Sequence, residues 1–129
     1  MSRVRQKGTA NELIVRQTLH SIGGRFRVNR RGLPGSPDIS SERRHKAIFV
    51  NGCFWHAHRG CPKATVPKSN AEFWRDKLAA NVDRDARKIA ELRRLQFDVL
   101  VVWECELSRF AKLRKRLNAF WFRTARKKA

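Results

Sequence analysis

At 129 residues and 41% hydrophobic content, the chain is sized for one domain with a real core and is not a disordered polymer. Thirty Lys and Arg against eleven Asp and Glu give a formal charge of +19. A self-repulsion of that size calls for a polyanionic partner, and nucleic acid fits best because each neutralised phosphate releases counterions. No apolar run approaches the ~20 residues of a membrane span, and the basic start from Met1 to Lys7 lacks the apolar stretch of a secretory signal. The expectation is a cytoplasmic, bacterial-type protein acting at the nucleoid. It occupies residues 1–129 as a single domain, with residues 1–8 and the tail 123–129 flexible.

Thr9 and Glu12 have capping-box spacing and open a helix that stops at Gly23 and Gly24. Phe26–Asn29 alternates with basic residues, as a strand does. A turn-rich segment, Arg30–Pro37, leads to Asp38 and Ile39 at the edge of a short strand, and Ala47–Val50 forms a second, buried one. Asn51–Lys68 reads as a loop dense in Cys, His and Trp. Ser69 and Glu72 make another capping box, opening a long helix with Phe73, Leu78, Val82, Ile89 and Leu92 inward. Phe97–Trp103 is β-branched and apolar, the mark of a central strand. A last helix sets Phe110, Leu113, Leu117 and Phe120 at helical spacing. The order α-β-β-β-α-β-α predicts an α/β fold, a mixed central sheet flanked by helices; the strand order is not legible.

Cys53, His58 and Cys61 share the loop, and Cys105 is the only other cysteine. A Cys₃His set suits tetrahedral structural zinc, and three cysteines cannot pair completely as disulfides. Ordinary buried thiols beside a surface His are an equal reading of the spacing alone. The loop also carries Phe54, Trp55 and His56. Adjacent large aromatics in a basic protein suit stacking on or wedging between bases, and His56 has the residue type for proton transfer near neutrality.

Carboxylates are scarce, so their placement is informative. Counting 100° per residue sets Glu12 within about 80° of Val15, Leu19 and Ile22, on or beside the face that meets the sheet. Its alternative role is the capping box; that of Asp38, after Pro37, is an ordinary turn residue. Two or three oxygen ligands with water and phosphate hold Mg²⁺.

Taken together, Leu33–Asp38, Ile48–His56, Glu72–Leu78 with Asn81–Asp85, and Val99–Cys105 resemble the very short patch repair (Vsr) mismatch endonuclease family. The segments fall in family order over roughly residues 10–107. The resemblance implies a restriction-endonuclease-like fold and a Mg²⁺-dependent nick in one strand of duplex DNA at or near a T:G-type mismatch. It implies that Asp38 binds Mg²⁺, that Val50 adds its backbone carbonyl, that Glu12 acts through water and that His56 transfers a proton. It makes Cys53, His58, Cys61 and Cys105 zinc ligands, and Phe54, Trp55 and Trp74 the aromatics that enter the base stack. The chain departs from the family in four places. Val50 replaces the usual Thr, and Asn51 stands where a second active-site His is common. One extra residue separates His58 from Cys61, and the N-terminal arm is short.

The leading expectation is therefore a Mg²⁺-dependent nicking endonuclease braced by zinc, a monomer on double-stranded DNA, with mismatch-repair or modification-system proteins as candidate further partners. The alternatives are a nickase of a restriction or defence system without mismatch specificity, and a catalytically weakened DNA-binding module.

Overall fold

The computed structural model describes residues 10–53, 58, 61 and 68–123. Along the chain run α1 (Ala10–Ser21), β1 (Arg27–Val28), β2 (Ile39–Ser41), β3 (Lys46–Asn51), α2 (Ala71–Arg94), β4 (Asp98–Trp103), a 3-10 turn (Glu104–Glu106) and α3 (Phe110–Phe122). This is the order the sequence predicts. The four strands lie side by side in chain order. β1–β2 and β2–β3 are antiparallel and β3–β4 parallel. The mixture follows from the connections: the ten residues between β1 and β2 and the four between β2 and β3 are too few for a parallel crossover, whereas α2 is long enough to carry the chain back to the starting end of the sheet.

Side chains alternate across β3, which separates two cores. Ile48 joins Val15 and Leu19 of α1, Ile39, Val102, and Leu113, Leu117, Phe120 and Trp121 of α3 on one face. Ala47 joins Leu33, Leu92 and Phe97 on the other, with Phe49 and Val99 packed against them. The sheet is thus covered by α1 and α3 on one side and α2 on the other. Gly23, at φ 89°, ends α1 in a left-handed conformation that suits glycine. Its N–H reaches the His20 carbonyl and that of Gly24 the Leu19 carbonyl, which satisfies the helix's last acceptors.

Several local expectations are corrected. Phe73 is 58% exposed and Val82 and Phe110 are also exposed, so none of them lies in a core. α2 runs 24 residues, about 36 Å at 1.5 Å per residue, but only Leu78 and Leu92 are fully packed. Much of the helix lies beyond what a four-stranded sheet can cover. The capping box at Ser69 and Glu72 does not form. Asn70 caps α2 from a left-handed conformation, φ 58°, with no side-chain cap bond. Thr9, of the first capping box, lies outside the described residues, as do the N-terminal segment and the tail after Arg123. Among the described residues no helix is long and apolar enough to cross a membrane.

Candidate active site and metal cluster

The functional residues gather at the carboxyl ends of β3 and β4 and the start of β2. Pairing between β2 and β3 ends at Ile39 opposite Ile48. Continued in register, it would set Pro37 opposite Val50. A proline has no N–H to give Val50's carbonyl, so the ladder cannot extend there. Instead the Val50 N–H donates to a carboxylate oxygen of Asp38 at 2.7 Å. In a strand, the N–H and C=O of one residue face the same neighbour, so the Val50 carbonyl is turned to the Asp38 side. Asp38 is 5% exposed. A carboxylate buried this far is costly without hydrogen bonds or a cation. Carboxylate and carbonyl together are hard oxygen donors of the kind Mg²⁺ or Ca²⁺ accepts.

Glu12 is 1% exposed, on the α1 face that also carries Val15 and Leu19, as helical counting predicts. Arg16, one turn on, donates to it at 3.1 Å and offsets its charge. Asn51 ends β3, buried, opposite Trp103 of β4.

Two residues beyond that matched pair, the parallel strands deliver Cys53 and Cys105 to the same place. The Cys53 and Cys105 sulfurs lie 3.5 and 3.6 Å from His58 Nδ1. With Cys61, the four ligand atoms all fall within 4.8 Å of one another, an arrangement that could hold a metal ion. Burial pushes the Cys53 thiol up to about 12, so without a cation this sulfur stays protonated. The Cys53 N–H donates to Glu104 at 3.2 Å, and the His58 ring stacks on Trp103 at 4.0 Å with planes 7° apart. Both fix ligands in place.

Nine of the predicted residues can thus be located. Asp38, Val50 and Asn51 lie together, with Glu12 on the covering helix. Cys53, His58, Cys61 and Cys105 form one cluster, and Trp74 is half-buried in the first turn of α2, edge-on to Phe73 at 5.3 Å. Phe54, Trp55 and His56 lie outside the described residues. Sequence reasoning missed Arg16, Trp103 and Glu104 as supports. The i,i+4 spacing from Glu12 and the positions one and two residues before Cys105 were the available signals.

These features define a class: a small, strongly basic α/β protein with a buried carboxylate at a strand end and a Cys₃His cluster beside it. Its first 63 residues match the family model described as DNA mismatch endonuclease Vsr. The type II nicking enzyme V.XorIIP of Xanthomonas oryzae pv. oryzae is 50% identical over 118 residues, 92% of this chain and 86% of that protein. V.NmeAIP of Neisseria meningitidis serogroup A, also named a type II nicking enzyme, is 42% identical over 118 residues, 92% and 84% of the two chains. The DNA mismatch endonuclease Vsr of Escherichia coli is 41% identical over 113 residues, 88% and 72%. The chain belongs to the Vsr DNA mismatch endonuclease family.

Proposed function

We propose that the protein is a metal-dependent DNA endonuclease of restriction-endonuclease-like fold that nicks one strand of duplex DNA at or beside a mismatch. The observation that carries this reading is the buried Asp38 carboxylate beside the Val50 backbone, at a point where Pro37 prevents further strand pairing. Asp38 and the Val50 carbonyl would hold Mg²⁺, with Glu12 reaching it through water. When bound, the ion supplies Lewis-acid stabilisation of charge on the phosphate. Asp38 orients the site and Glu12, with Arg16 beside it, holds water by accepting its hydrogen bonds. His56 moves a proton between water or leaving oxygen and solvent. Asn51, unable to shuttle a proton, donates a hydrogen bond to a phosphate oxygen. Phe54, Trp55 and Trp74 enter the base stack beside the mismatch.

The second metal would be zinc in the Cys53, His58, Cys61 and Cys105 cluster. Zn–S bonds near 2.3 Å and Zn–N bonds near 2.05 Å in a tetrahedron imply sulfur-to-nitrogen edges of about 3.6 Å. The edges to His58 are 3.5 and 3.6 Å. Such an ion braces the loop that bears His56 and takes no part in hydrolysis. A protein of this kind works in the cytoplasm, where its DNA and its reduced thiols both belong.

A second reading is supported by the relatives named type II nicking enzymes: a nickase of a restriction or defence system without mismatch specificity. A supercoiled-plasmid and short-duplex nicking assay tests both. Mg²⁺-dependent nicking by wild type and none by Asp38→Asn is expected. Equal rates for wild type and Asp38→Asn would refute the site, and a T:G duplex cut no faster than its matched twin would favour the second reading.

A further inference from the structure

The charge is unevenly spread. Five of the eleven acidic residues lie on α2, at positions 72, 76, 83, 85 and 91, where they intersperse with seven cations. α3 carries Lys112, Arg114, Lys115 and Arg116 and no carboxylate at all. Its buried side is apolar, Leu113, Leu117, Phe120 and Trp121. Arg109, Lys112 and Arg116 follow one another at the three- and four-residue steps of a single helical stripe. Arg116 is already engaged, paired with Glu106 and donating to the Val101 carbonyl at 3.4 Å. That holds α3 to the end of β4. Arg109, Lys112 and Lys115 form no ion pair among the described residues.

This stripe is one wall of a groove of about 720 Å³, whose other wall is His58, Cys61 and Cys105 of the metal cluster. The groove therefore starts beside the loop that leaves β3. Cys53 is only three residues past Val50, at most about 11 Å of extended chain. From Arg109 to Arg116 the stripe covers about 10 Å of helix, or three base pairs at a 3.4 Å rise.

We infer that the groove between α3 and the metal cluster is a phosphate track, in which Arg109, Lys112 and Lys115 hold the backbone of duplex DNA flanking the cleavage site. The inference rests on the nuclease reading and adds to it a surface outside the metal site and its aromatics. Among the described lining residues Glu106 is the one carboxylate, and it is paired with Arg116. Lysines meet phosphates as point charges, which supplies affinity and orientation without sequence information. Past Trp74 the cations of α2 alternate with carboxylates, so the flanking backbone is held along α3.

The test is the salt dependence of binding to a fluorescent 20-base-pair matched duplex without Mg²⁺, so that no cleavage intervenes. Wild type is compared with Lys112→Ala/Lys115→Ala, with Lys112→Gln/Lys115→Gln, and with Arg87→Ala/Arg94→Ala, in the second half of α2 away from Trp74, as control. Each lost phosphate contact lowers the slope of log K against log salt by about 0.9. Both α3 pairs should therefore drop it by nearly 2, with the α2 pair unchanged and circular dichroism and zinc content as in wild type. If the duplex binds and the α3 pairs keep the wild-type slope, the phosphate track is refuted and the nuclease reading stands. A wild-type protein that does not bind duplex at any salt refutes both.

Discussion

Lys46 and Asp98 begin the parallel strands β3 and β4 and face each other in register. Their charges meet at 2.7 Å, with side-chain exposures of 1% and 19%, and the ammonium also lies 4.9 Å from the Phe120 ring. The two partners should not be equivalent to mutation. Asp98→Ala leaves an ammonium sealed under α3 with no carboxylate, and breaking a buried pair in that way costs about 3–5 kcal/mol. Lys46→Met fills the same space with an apolar chain. The Asp98 carboxylate it leaves behind already touches water, so the loss should be nearer 1 kcal/mol, the scale of a partly exposed pair. Urea denaturation of the metal-loaded proteins, followed by circular dichroism, measures both. Losses that are equal, or larger for Lys46→Met, would refute the argument that the cost is set by the depth of the charge left unpaired.

Protein purified without added metal should contain one zinc per chain by elemental analysis, and Cys105→Ala should lose both the zinc and several kcal/mol of stability; full stability without zinc would count against the cluster as a structural centre. Because burial holds the Cys53 proton with a pKa of about 12, metal uptake must expel it. Zinc affinity should therefore rise with pH, roughly tenfold per unit for that one proton, and a competition titration giving equal affinities at pH 6.5 and 7.5 would contradict this. Trp74→Ala should weaken binding to mismatched duplex, by up to the few kcal/mol that wedging returns, with little change on matched duplex; equal effects on both would reduce Trp74 to a packing residue of α2.

The element order was legible because most segments declare themselves: alternation around Phe26–Asn29, a short apolar run at Ala47–Val50, helical spacing around Leu113, Leu117 and Phe120. The inward set of α2 was not. Phe73 and Val82 continue the apolar stripe, but periodicity names a face without saying where the neighbouring layer ends. Glu12 was found by helical counting, since one short helix must present one side to the sheet. Its partner Arg16 was overlooked because an i,i+4 ion pair is ordinarily a surface feature. Cys105 could only be suspected, as 44 residues separate it from Cys61. What unites them is the parallel pairing of β3 with β4, a long-range contact that leaves no local mark. For Asp38 the signal was in plain view, Pro37 immediately before it, and its meaning emerged only with the register of β2 on β3.

The register of β3 on β4 has a weakness built into every apolar strand. A slide of one residue would turn the wrong side chains inward, whereas a slide of two leaves each face's hydrophobic character intact. Along Ala47–Val50 against Val99–Val102, one apolar neighbour is nearly as good as the next. The ends break this degeneracy. Shifted by two, Lys46 would stand against Leu100 instead of Asp98, and Cys53 would miss Cys105. A misaligned sheet thus loses an ion pair at one end and a metal centre at the other. Neither loss can be made up by greasy contacts, so the placement of Val50 and Asn51 relative to Cys105 is kept to a single alignment by polar chemistry at the two extremities of the strand.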